Sequence, residues 1–437
     1  MIIAPRTFQK SSRSRVNLDE KREHCTNSMF LRFMGNDDEV NLSLMIDATN
    51  RCQLRCRYCY YGRKGSTEMD VHRVMQAADN FSAVFGKKLK SIDFHYMGGE
   101  PLLAWKQILD LNRLGRQHFE SLGVRFSWSL TSNLINLDER KADHMVAEGA
   151  SIHCSIDGPS DIHNRNRPFK DGTGSYDATV RHIRNALRIS PDDSARVTVC
   201  PEHANSLDRI AEGILGHGFK HIGLFPANNM NWDEQDVSGW AESIAEVWRK
   251  YRNPDGTRMV GTLLDQRRQG HKTKRFDYCG AGKALWALDV TGNLFFCHHL
   301  TNRPEFAVID AASNTTRDIR TAIERSAQPP KCGTMSEHCR ACTAKDFCYG
   351  GCWANNLLTN GEATTPEQSE CRLKVATVRT LGDALIIKSN VAATCKIQPR
   401  SCIIRDSGCT CQRCETCQKC DECQRCDDCL RCDEVRT

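Results

Sequence analysis

Cys52, Cys56 and Cys59, in the stretch ATNRCQLRCRYCYY, are spaced C-x3-C-x2-C. Three thiolates this close together on one loop can hold three corners of a four-iron cubane and leave its fourth iron open. An open iron can bind a substrate or cofactor, whereas a fourth thiolate would suit plain electron transfer. The same thiols would also serve a zinc knuckle that lacks one ligand. A second set lies downstream. Cys339, Cys342, Cys348 and Cys352 follow C-x2-C-x5-C-x3-C, with Cys279, Cys297 and Cys332 before them and Cys371 after. These eight cysteines are enough to ligate two further four-iron clusters completely. The third set is CTCQRCETCQKCDECQRCDDCLRC, residues 409–432, with a cysteine at every third position from Cys411 to Cys432. It reads as a soft-metal or persulfide store, as a thiol relay, or as a segment that is, or mimics, a cysteine-bearing substrate.

The chain has 25 cysteines in 437 residues. Its start, MIIAPRTFQKSSRSRVNLDEKRE, has no apolar run of the kind a secretory signal needs. A cytoplasmic location follows, where thiols stay reduced and serve metals rather than disulfides. No stretch is apolar enough to span a bilayer, so no membrane partner is expected. The formal charge of +6 shrinks once anionic clusters are bound, and it supports no nucleic-acid partner.

These residues need a scaffold. From 42 to 252, apolar runs of strand length (LSLMIDA, SIDFHYM, VRFSWSL, SIHCSID, ARVTVC and HIGLFP) each precede a longer helical segment. Six strand-helix units predict an α/β fold, a parallel sheet with helices outside, too few for a closed eight-fold barrel. Its chemistry belongs in the loops after the strands. Residues 1–41 read as a polar arm, 253–278 as a linker, 279–375 as a small cysteine-rich domain and 376–437 as an extension ending in the cysteine run. Cys154 and Cys200, inside predicted strands, read as small buried apolar residues rather than ligands.

With Tyr58 as the aromatic, C-x3-C-x-aromatic-C after a first strand resembles the signature of the radical S-adenosylmethionine (SAM) enzymes. The resemblance implies a partial (β/α)6 TIM-like barrel and a cluster whose open iron chelates the amino and carboxylate groups of SAM. One electron then cleaves SAM to methionine and a 5'-deoxyadenosyl radical, which abstracts hydrogen from the substrate. MGGEPLL ends the second strand, and Gly98, Gly99 and Glu100 resemble the family's motif for the SAM amino group. Thr131, Ser132 and Asn133 close the third strand, where small polar groups are implied to bond the ribose or methionine part. SIDGPSDIHNRNRPFKDGTGSYD, residues 155–177, resembles the peptide-modifying branch. It adds Ser155 and Asp157 to the implied cofactor site, with Arg167 as partner of the SAM carboxylate.

The downstream cysteines resemble a SPASM domain, the auxiliary-cluster module of peptide and protein maturases. That pattern assigns Cys339, Cys342, Cys348 and Cys371 to an outer cluster and Cys279, Cys297 and Cys352 to an inner one. Leu285 stands where some members carry another cysteine. Either Cys332 replaces it, or the inner cluster keeps an open iron for a substrate thiolate. Sulfatase maturases carry an aspartate base after the residue matching Cys297, whereas this chain has His298 and then His299. His298 is the candidate base. The difference puts crosslinking of a cysteine-containing ribosomal peptide first, through thioether or carbon-carbon bonds. Oxidation of cysteine or serine to formylglycine, and non-catalytic metal storage in the tail, are the alternatives. With 41 residues ahead of the first strand, no leader-binding module is expected at that end. The substrate would arrive through a separate leader-binding protein, the N-terminal arm or the C-terminal extension, and flavodoxin or ferredoxin would supply electrons.

Overall fold

Strand β1 (Val40–Thr49) alternates strictly enough to have two different faces. Leu42, Leu44, Ile46 and Ala48 are buried, while Ser43 and Met45 between them are only partly covered. The same alternation recurs in β2 (Leu89–Gly98), β3 (Arg125–Ser132), β4 (Ser151–Cys154), β5 (Ser194–Val199) and β6 (His221–Pro226). Ile92, Phe94, Tyr96, Phe126, Trp128 and Leu130 turn one way into the core, and Asp93, His95, Ser127, Ser129 and Thr131 turn the other. The apolar core therefore lies between sheet and helices, and the inner face of the sheet is polar. The computed structural model describes residues 39–62, 64–251, 260–261, 280–326, 336–348, 350–394, 404–405 and 408–409. Cys279, Cys332 and the cysteine run beyond 409 lie outside them.

Strands β1, β2, β3 and β4 pair in parallel, in order. One parallel bridge, Ser155 to Arg196, carries the sheet on to β5, which pairs in parallel with β6 and then with the short β7 (Val260–Gly261). Six consecutive parallel strands with helices between them form the partial barrel, as the alternation predicts. The helices have identifiable starts: Asp70 caps Val71–Ser82, Asp138 caps Glu139–Ala147, and Asp233 and Asp236 form a capping box at Glu234–Lys250. In Leu207–Leu215 the buried residues Leu207, Ile210, Ala211 and Ile214 make one stripe at helical spacing.

The sheet continues past the alternating region. Strand β8 (Leu285–Leu288) pairs in parallel with the free edge of β1, and β9 (Asn293–Phe295) and β10 (Ile309–Asp310) add antiparallel beyond it. The segment carrying Cys297 is thus built onto the strand that leads into Cys52. The chain divides into two compact units, Met1–Thr380 and Leu381–Thr437. The second begins within the helix Gln368–Thr394 and holds a small hairpin, Ile404–Arg405 paired with Gly408–Cys409. Among the described residues no helix is long and apolar enough to cross a membrane.

Candidate active site

The loop after β1 is held from two sides. On one side Gly99 N donates to Thr49 O and Glu100 N to Arg51 O, both at 2.7 Å. On the other, residues 166–170 run antiparallel to it. Lys170 N donates to Gln53 O at 3.1 Å, Arg55 N to Pro168 O at 2.8 Å and Arg57 N to Asn166 O at 3.0 Å. NRNRPFK is therefore a backing strip for the cysteine loop, a role that no local pattern in the sequence reveals. Cys52, Cys56 and Cys59 are free thiols on this loop. Burial raises the Cys52 thiol and pushes Cys56 up to about 11.

Lys64 carries no sequence signal of a role here, since a lysine five residues beyond the last cysteine looks like any surface lysine. Its ammonium donates to Leu54 O at 2.9 Å. Burial alone would lower its pKa, yet the pKa is raised because Cys59, Cys52 and Cys56 surround it. Among the described residues no three His, Cys, Asp or Glu side chains are arranged to hold a metal ion. A cubane needs thiolates spread over its corners rather than converging on a point. Three free thiols on one braced loop, with a cation beside them to balance anionic sulfur, fit such a cluster.

At the end of β2, Gly98 and Gly99 let two backbones approach closely. A Cβ on Gly99 would stand 1.9 Å from Arg51 O. Glu100 is buried and accepts from Ser132 Oγ at 2.7 Å, Asn133 N at 2.9 Å and Leu102 N at 3.2 Å. Burial raises its pKa, and these bonds offset part of the rise. Ser132 Oγ also accepts from Leu134 N, and Asn133 Oδ1 from Ile135 N and Gln53 Nε2. The side chains that the resemblance assigns to SAM are thus brought together, but much of their hydrogen-bonding capacity locks the strand ends. Thr131 instead faces the barrel interior. Tyr58 donates to Asp157 Oδ2 at 2.5 Å, and the Arg167 guanidinium lies over the Tyr58 ring with Nε 3.1 Å from Asp157 Oδ1. Ser155 sits at the bridge to β5, its N–H donating to Ser132 O.

The polar face of the sheet forms a histidine-lined lumen. Ser127 Oγ and Ser129 Oγ donate to Asp93, at 2.9 and 3.1 Å. Because the Ser129 proton goes to Asp93, its oxygen accepts from His95 Nδ1 at 2.8 Å, and His95 Nε2 accepts from Thr131 Oγ1 at 2.9 Å. Burial pushes His95 down to about 3, helped by His153 and Arg196, so it is neutral. His298 is lowered well below its usual range by burial, then by His299, His95 and Arg196. Tyr60, next to Cys59, stacks on His299 at 4.8 Å and meets His298 edge-on at 5.2 Å. An aromatic cluster therefore joins the cysteine loop to the turn after Cys297.

The downstream cysteines fall into two neighbourhoods. Burial pushes Cys371 up to about 11, and Cys348, Cys342 and Cys339 beside it push the same way. Cys352 starts the helix Trp353–Asn360, which packs on the 298–300 turn next to Cys297. Its N–H donates to Glu370 Oε1, and a buried Glu370–Lys374 ion pair braces the region. Cys154 and Cys200 are buried, the latter just beyond the end of β5.

Asp47, on the inner face of β1, offers a pH test. Burial pushes its carboxyl up to about 7; Thr301 and Tyr61 pull it down and Asp289 pushes it up. The folded protein thus holds this proton more tightly than the unfolded chain. Stability falls as pH rises from about 4 to about 7 and is flat above. Asp47→Asn should leave the melting temperature unchanged near pH 4 and raise it at pH 8, and equal shifts at both pH values would refute the assignment.

Residues 46–208 match the Radical SAM superfamily. The chain is 30% identical over 337 residues to a cysteine-type anaerobic sulfatase-maturating enzyme of Clostridium perfringens, covering 71% of this chain and 88% of that protein. It is 25% identical over 334 residues to a serine-type anaerobic sulfatase-maturating enzyme of Klebsiella aerogenes, covering 71% and 80%. A solved structure of native anSMEcpe with bound AdoMet and Cp18Cys peptide superposes with a TM-score of 0.66 at 17% identity, covering 80% of this chain and 99% of that one. At that identity the likeness is one of fold.

Proposed function

The chain belongs to the radical SAM superfamily, in the SPASM-bearing branch of peptide and protein maturases that holds the anaerobic sulfatase-maturating enzymes, and from this we propose that it oxidises a cysteine or serine side chain within a peptide. It is an enzyme whose cofactors are SAM, a three-cysteine four-iron cluster and two auxiliary four-iron clusters. When bound, SAM and the first cluster supply one-electron chemistry that removes hydrogen from an unactivated carbon.

In this proposal the chain's own residues do the positioning. Cys52, Cys56 and Cys59 hold the first cluster, with Lys64 balancing sulfur charge. The Gly98–Glu100 edge, Ser132, Asn133, Ser155 and the Tyr58–Asp157–Arg167 group frame the SAM pocket. Cys339, Cys342, Cys348 and Cys371 serve the outer auxiliary cluster, and Cys297 and Cys352 the inner one together with Cys279, with Cys332 as its candidate fourth ligand. The observation that carries the reading is His298, half-buried beside Cys297 and edge-on to Tyr60 of the cysteine loop, its imidazole held neutral by desolvation. A neutral imidazole there can accept the proton that leaves as the substrate carbon is oxidised. The relatives' names favour formylglycine as the product. His298 in place of aspartate supports a second reading, crosslinking of a cysteine-containing ribosomal peptide. Electrons from flavodoxin or ferredoxin, a separate leader-binding protein and a cytoplasmic location complete the proposal.

The test is anaerobic turnover with dithionite, SAM and cysteine peptides, followed by mass spectrometry. Formylglycine loses the sulfur and reacts with a hydrazide probe; a thioether keeps the sulfur and loses a pair of hydrogens. Release of 5'-deoxyadenosine with every peptide unaltered would count against a peptide substrate.

A further inference from the structure

Among the described residues Arg196 is a lumen cation whose guanidinium has no hydrogen-bond or ion-pair partner. It lies on β5 opposite Gly223 of β6, beside Ser155 at the bridge from β4. Of the other charged groups on this face, Asp93 accepts from two serines and His153 Nδ1 is 2.8 Å from Asp193 Oδ2, while Asp47 on β1 keeps one buried carboxylate oxygen without a hydrogen bond. His95, hydrogen-bonded between Ser129 and Thr131, is neutral and within electrostatic reach of Arg196. Among the described residues no hydrogen bond or ion pair engages the Arg196 guanidinium.

Its orientation is nevertheless fixed. Gly223 has no side chain, and the Phe225 ring folds back over it; a Cβ at 223 would stand 2.8 Å from Phe225 Cε2. The guanidinium lies over that ring, with Cζ 5.9 Å from the centroid. An aromatic platform holds one face of the cation and leaves its planar edge of N–H donors unused. A guanidinium held on one face by an aromatic ring, with its N–H edge free, suits bidentate binding of a carboxylate. Arg167, to which the sequence assigns the SAM carboxylate, differs in having its charge compensated by Asp157, with Nε 3.1 Å from Oδ1.

We propose that Arg196 is a carboxylate-binding group of the lumen, taking an acidic side chain of the peptide under modification or the methionyl carboxylate of SAM. The first source rests on the peptide-maturase reading above; the second does not. Two measurements on the full-length, anaerobically reconstituted enzyme separate them. In one, SAM is titrated into reduced protein and its affinity is read from the change in the first cluster's electron paramagnetic resonance signal. In the other, a randomised peptide library centred on one cysteine is selected on wild type, Arg196→Met and Arg196→Glu.

The peptide source predicts enrichment of Asp or Glu at a fixed distance from the cysteine. Arg196→Met should weaken that preference about tenfold, and Arg196→Glu should turn it toward Lys or Arg. The SAM source predicts about tenfold weaker SAM binding in Arg196→Met with the peptide preference unchanged. Phe225→Leu keeps the charge but removes the platform, so it should give a smaller loss of the same kind. Unchanged SAM affinity together with no acidic preference, or one that survives in Arg196→Met, overturns the proposal. Recovery of no peptide on wild type removes the peptide source, and the SAM titration alone then decides. Iron content and melting temperature matched to wild type separate these outcomes from misfolding.

Discussion

Replacing Cys52, Cys56 and Cys59 together with alanine should abolish release of 5'-deoxyadenosine from reduced enzyme and leave the iron bound downstream. The three thiols, the proposed soft ligands, sit on a loop braced by backbone bonds to Gly99, Glu100 and residues 166–170, and those bonds do not depend on the thiols. The loop therefore keeps its path while losing every ligand, and loss of SAM cleavage should be complete. The downstream cysteines are set by other elements: Cys339 in the helix Glu337–Ala341, Cys348 in Lys345–Cys348 and Cys371 in Gln368–Thr394. Iron analysis and product chromatography on one preparation make the comparison. Persistent 5'-deoxyadenosine, or loss of all iron at once, would contradict it.

Gly99→Ala should be the most damaging single methyl in the barrel. Its Cβ would stand 1.9 Å from Arg51 O and 2.5 Å from Arg51 C, both backbone atoms, so no side chain can swing aside. Relief requires parting β2 from the loop, which breaks the bonds from Gly99 N to Thr49 O and from Glu100 N to Arg51 O. A cost of about 3 kcal/mol or more is expected, with failure to retain the first cluster. Gly123→Ala is the control. It has positive φ but open space around it, and should cost about 1 kcal/mol. Urea denaturation and iron content check both, and a Gly99→Ala protein as stable as the control would show that the loop lies elsewhere.

What the sequence determined by itself is what depends on neighbours along the chain. That Cys52, Cys56 and Cys59 lie together is legible because thiols within one short loop cannot be far apart, whatever the fold. The six parallel strands are legible because side chains alternate faces with period two, so an apolar row must face the helices. The tertiary structure decided what depends on distant segments meeting. It lays residues 166–170 along the cysteine loop, pairs Arg167 with Asp157, turns Glu100 onto Ser132 and Asn133, and places Lys64 among the thiols. It also adds β8 to the edge of β1, which brings His298 and His299 onto Tyr60. The polar row of each strand becomes a lumen once the sheet curves, and Arg196 is on that face. Period two fixes which side chains share a face. Only curvature and long-range pairing fix what that face encloses.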